Sequence, residues 1–104
     1  MDDLMDFEMP EALYVVMVVA YLEGEEEPDY LTLCSFEGPE EAVKFAELET
    51  PKYVDIFQGN PTWGGKTIKG ALLAVDTLVT DEDGLEDFIG QIFREVVYVK
   101  PVDK

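Results

Sequence analysis

The chain has 104 residues, with 24 Asp plus Glu against 7 Lys plus Arg, no histidine and a single cysteine, for a formal net charge of −17. A surface this negative repels nucleic-acid phosphates and anionic membranes, so direct binding to either is excluded as an expectation. The missing histidine removes Ser-His and Cys-His catalysis and histidine-ligated zinc. Apolar residues nevertheless make up 47% and are gathered into runs, which sets the chain apart from disordered acidic sequences.

Residues 1–11 form an acidic N-terminal arm carrying Leu4, Met5, Phe7 and Met9 ahead of Pro10. Its negative start is unlike a signal peptide. The longest apolar run, Ala12 to Leu22, is far shorter than the roughly 20 residues of a membrane helix. A cytoplasmic protein is therefore expected, with residues 12–104 as one domain. Leu13 to Leu22 reads as a strand from its β-branched and aromatic content. Both of its faces are apolar, so it should be central and covered on both sides. The second cover would come from the arm or from another copy of the chain in a homodimer.

The turn Glu23 to Asp29 precedes a second strand, Tyr30 to Phe36, which predicts a hairpin with an acidic tip. Gly38-Pro39-Glu40-Glu41 has the marks of a helix start, because proline suits the first helical position and acids complement the helix dipole. That helix is expected to stop at Thr50-Pro51, and Lys52 to Phe57 to form a third strand. Residues 58–65 make a loop around Trp63. The segment 66–79 fits a helical stripe and a strand alike; its β-branched content and the balance of elements favour the strand. Asp83-Gly84-Leu85-Glu86 has capping-box spacing, and Leu85, Phe88, Ile89, Ile92 and Phe93 then recur with helical period, which predicts a second helix. Glu95 to Val99 closes as a strand. The order β-β-α-β-(β)-α-β predicts an α+β domain, a mixed sheet of four to five strands with two helices. A split-βαβ arrangement over 30–100 with strand 13–22 added is one topology consistent with it.

Candidate chemistry is thin. Gly64-Gly65-Lys66-Thr67 falls short of a phosphate-binding loop, since the first required glycine would be Asn60, and a Gly-Gly turn before a strand explains it. Aligned on Gly84, an EF-hand would need ligands at Val79 and Gly90, so Asp81-Glu82-Asp83 is read as helix capping. Carboxylate pairs carry no information in so acidic a chain; Asp55 and Asp76 are read as pointing outward from strands. Cys34, grouped by alternation with Tyr30, Thr32 and Phe36, is read as a structural thiol, and Ser35 has no base. No catalytic residue, cofactor or metal ligand is expected.

The charge is unevenly divided. Residues 1–50 hold 15 acids and one base, Lys44, for −14, and residues 51–104 carry −3. An acidic binding face is therefore expected from Glu23, Glu25, Glu26, Glu27, Asp29, Glu37, Glu40, Glu41, Glu47 and Glu49, with Trp63 either an interface anchor or a cap on the core. Such a face suits a protein-binding module with a basic protein partner, of the inhibitor, immunity-protein or nucleic-acid-mimic kind. Small acidic proteins of that size and charge are common in bacterial toxin systems and bacteriophages. The alternative is a non-catalytic assembly subunit that self-associates through 13–22.

Overall fold

The computed structural model describes residues 11–102. Five strands and one helix follow in the order β1 (Glu11–Leu22), β2 (Asp29–Phe36), α1 (Pro39–Gly59), β3 (Thr62–Trp63), β4 (Lys66–Thr80) and β5 (Glu86–Val99). The sheet runs β2-β1-β4-β5, with the short β3 also hydrogen-bonded to β4. Every pairing is antiparallel. Among the described residues the expected mixed sheet and split-βαβ topology are thus replaced by antiparallel strands with a single helix.

The hairpin of β1 and β2 forms as its sequence suggests, and β1 is interior, hydrogen-bonded on both edges. Gly38, Pro39 and the two acids open α1 as expected. Segment 66–79 is strand, within β4. Two element assignments are also overturned. The helix does not stop at Pro51 but continues to Gly59, so 52–57 is helical and not a strand. A helix-interior proline costs about 3 kcal/mol. Against that, Phe57 is buried, and Tyr53 and Val54 pack partly against the core. One buried large apolar side chain stabilises by about 1.5–3 kcal/mol, so three together outweigh the proline.

The second reversal is the segment 85–93, in which Leu85 ends the preceding turn and 86–93 belong to β5, with no second helix there. Its helical spacing marks no buried stripe: Leu85, Phe88, Ile89 and Ile92 are all exposed, and only Phe93 reaches the core. Pairing with β4 from Gly70↔Val99 to Thr80↔Glu86, interrupted by three register shifts, decides the conformation. Those shifts scramble the alternation that would otherwise have announced a strand. The presumed helix cap at 83–86 is instead the β4–β5 turn. There Asp81 Oδ1 accepts hydrogen bonds from the backbone N–H groups of Asp83 and Leu85, both at 2.9 Å.

The main core lies between α1 and one face of the sheet. Val16, Val18, Ala20 and Leu22 of β1 and Ile68, Leu73 and Val75 of β4 meet Ala42, Ala46 and Phe57 of α1. A second apolar cluster, Val15, Met17, Val19, Leu72 and Ala74, occupies the opposite face. Because β1 and β5 run one way and β2 and β4 the other, the sheet has two chemically distinct ends. At the turn end lie the β1–β2 and β3–β4 turns with the end of β5. At the basal end lie the β2–α1 junction and the β4–β5 turn.

Candidate functional site: two acidic ends

The ten acids read from the sequence do not form one continuous patch. Glu23, Glu25, Glu26, Glu27 and Asp29 are exposed at the turn end, whereas Glu37, Glu40 and Glu41 are exposed at the basal end. The eight-residue strand β2 separates the two groups by roughly 25 Å at about 3.3 Å per residue. Glu47 and Glu49 lie between them on α1. Glu47 is exposed, while the Glu49 side chain is largely buried beside Lys52, whose Nζ donates to it at 2.9 Å.

The turn end is partly neutralised from within the chain. Lys66 pairs with Glu25, and Lys100 with Glu23. Lys66 is delivered there by the two-residue turn Gly64-Gly65, with φ of +58° and +84°. Positive φ at both central positions is the geometry of a tight hairpin that glycine tolerates. The Gly-Gly turn before a strand is therefore what the structure contains. The indole of Trp63 is half-buried: one side lies against Phe57, centroid to centroid 6.4 Å, and its Nε1–H donates to Asp29 Oδ2 at 3.0 Å. Trp63 thus caps the core, and it also lines a cleft of about 450 Å³ with Glu25, Glu27, Asp29 and Lys66.

The basal end is less balanced, and half of it escaped the sequence reading. The β4–β5 turn presents Asp81, Glu82, Asp83, Glu86 and Asp87, all exposed. Together with Glu37, Glu40 and Glu41 they give eight carboxylates at one end of the sheet. Lys44 is the base closest in the chain to Glu40 and Glu41, Arg94 the one closest to Asp87, and none of the eight carboxylates forms an ion pair among the described residues. The −3 assigned to residues 51–104 hid this cluster. Acids of that half collect at the basal end, while Lys66 and Lys100 sit at the other. A run of five acids within seven residues was the available signal, and its resemblance to a helix start masked it.

Asp55 is exposed on α1, not on a strand. Asp76 lies within β4, where its Oδ1 accepts from the Gly90 N–H at 3.2 Å and supports an irregular stretch of β5. A register shift in β2 breaks the alternation assumed for Cys34. It lies opposite Val16, on the helix side, whereas Thr32 lies opposite Met17, on the other face. Burial, with the Glu49 carboxylate adding to it, pushes the Cys34 thiol up. A raised thiol pKa lowers the thiolate fraction, which is the nucleophilic form.

Among the described residues no group of three or more acids or cysteines is arranged to hold a metal ion. No helix among them is long and apolar enough to cross a membrane. No known protein family matches the chain, no curated protein matches it, and no solved structure matches its fold.

Proposed function

We propose that this chain is a protein-binding module whose carboxylates engage a basic partner protein, in the manner of an inhibitor or immunity protein that masks a nucleic-acid-binding surface. The observation that carries the reading is the basal end, where eight exposed carboxylates form no ion pair among the described residues. Carboxylates arrayed on rigid strand and helix ends steer a cationic surface to the encounter and offer salt bridges to Arg and Lys. Internal pairing with Lys66 and Lys100 makes the turn end the weaker attractor. Its cleft beside Trp63 offers an aromatic wall to a side chain of the same partner.

The test is capture of a basic partner by tagged protein, eluted along a salt gradient. Binding should fall steeply as salt screens the contact. Reversing Glu37, Glu40 and Asp83 to lysine should weaken it at least tenfold, more than the same reversal of Glu26 and Glu27. A captured partner that resists high salt and ignores the basal reversals would refute the reading. An assembly subunit is the alternative, favoured by exposed Phe88, Ile89, Ile92 and Val96 along the edge strand β5. With β1 hydrogen-bonded on both edges, such assembly would use β5 or a sheet face. Salt-insensitive self-association would select it.

A further inference from the structure

The strand β2 ends the sheet: it is hydrogen-bonded to β1 along one edge and to no other strand among the described residues. An edge strand presents a row of backbone N–H and C=O groups on which a further strand can form. Charged side chains, bulges and prolines usually guard such edges. Between Tyr30 and Phe36 there is neither a charged residue nor a proline, and the pairing with β1 shifts register once. The opposite edge, β5, carries Arg94 and Glu95, and its pairing with β4 shifts three times. Tyr30 and Leu31, 54% and 51% exposed, are successive strand residues and so stand on opposite faces of β2. The acidic arm, residues 1–10, lies outside the described residues, whereas β2 and both of its flanks lie within them.

The charge of this region sits at the two ends of the strand. Glu26, Glu27 and Asp29 stand at its start, and Glu37, Glu40 and Glu41 follow its end. None of these six carboxylates forms an ion pair among the described residues. An uncharged edge, Tyr30 to Phe36, is thereby bracketed by acids on both sides.

We infer, resting on the binding-module reading, that the outer edge of β2 receives an extended segment of the basic partner carrying Lys or Arg at both of its ends. Main-chain hydrogen bonds to an open edge supply affinity, and the two carboxylate groups select for charge. The groups also set a length. At about 3.3 Å per residue in both strands, the basic ends are separated by about seven uncharged residues. A second copy of this chain does not fit the edge. An antiparallel copy would set the acidic turn of one against the helix-start acids of the other, and a parallel copy would join like ends. Either way carboxylates meet carboxylates, and the contact is repulsive.

The probe is a synthetic peptide, Lys-Arg-Thr-Val-Thr-Val-Thr-Val-Thr-Arg-Lys, titrated into the ¹⁵N-labelled full chain. Its alternation of Thr and Val penalises a one-residue slip. Saturable amide shifts and slowed amide exchange confined to β2 and its flanks are the expected result. Two isomers of the peptide, methylated on alternate backbone nitrogens, keep every charge and side chain. Because alternate N–H groups point to opposite edges of a strand, one isomer should lose at least tenfold in affinity and the other stay within about threefold of the parent. Glu26→Lys/Glu27→Lys and Glu37→Lys/Glu40→Lys, all at exposed positions, should each weaken the parent peptide at least threefold, the second pair more. A peptide that does not bind, isomers that bind alike, or shifts that map to β5 would each overturn the inference. Isomers that bind alike while a basic partner is still captured in a salt-dependent way remove the edge alone and leave the binding-module reading standing. A peptide that pairs with β2 while partner capture ignores the basal reversals counts against that reading alone.

Discussion

Replacing Phe57 with alanine tests whether the second half of α1 is anchored. The side chain retains 4% of its exposure and packs against Tyr53, Trp63 and Tyr98 at centroid distances of 5.9, 6.4 and 6.5 Å. Truncating a buried phenylalanine costs about 3–5 kcal/mol through lost transfer energy and the remaining cavity. Part of that loss reflects the aromatic pairs, each about 0.5–1.5 kcal/mol beyond area burial. Against a domain stability of about 5–15 kcal/mol, a loss near 4 kcal/mol should bring the protein close to unfolding. The single tryptophan lies beside the deleted ring, so denaturant unfolding followed by its fluorescence reads both the midpoint and the local change. Leu48→Ala is the internal control: at 71% exposure it should shift stability by less than about 0.5 kcal/mol. A Phe57→Ala loss below about 1 kcal/mol would mean that residues 52–59 are not docked, and the account of the helix passing through Pro51 would fall with it.

Pro51→Ala should stabilise by about 2 kcal/mol, because the restored N–H and relieved ring clash outweigh the greater freedom of the unfolded chain; no gain would show that the proline is already accommodated. Glycines 65 and 59 should respond in opposite directions. Gly65→Ala places a side chain at φ +84° and should cost about 1–2 kcal/mol, whereas Gly59→Ala, with open space around it and no positive φ, should gain up to about 1 kcal/mol. Cys34 should alkylate more slowly at pH 8 than a free thiol, and Glu49→Gln should speed it modestly. Because its folded pKa is raised, its stabilising contribution is complete below the unfolded thiol pKa and is lost as pH rises through the folded one. The Cys34→Ala difference in stability should therefore shrink only in the alkaline range.

Local chemistry was legible where a few neighbouring residues decide the structure. The acidic turn 23–28, the start of α1 at Gly38-Pro39-Glu40-Glu41 and the Gly64-Gly65 reversal all lie where side-chain type fixes the backbone. The misreadings share one cause, contacts distant in sequence. Pro51 is a local stop overruled by Phe57 meeting Tyr98. The stripe Leu85 to Phe93 has helical spacing, but β4 supplies the hydrogen bonds that make it a strand. For the site, the carboxylates of residues 23–49 were visible as a composition step. Their division between two ends depended on the direction of β2, and the acids at 81–87, visible in the sequence but read as a helix cap, joined the site only once the turn there was known.

The strand order also bears on how the chain reaches this structure. The β1–β2 and β4–β5 hairpins each close over a short turn, so both can form early by local search. The β1–β4 pairing that joins them links residues, Leu22 and Ile68 at its nearest, roughly fifty positions apart, and such closure is slow. Folding should then be limited by that seam. Substitutions at Val18 or Leu73, which face each other across it, should slow folding, while changes at the tip of the β4–β5 turn should mainly speed unfolding.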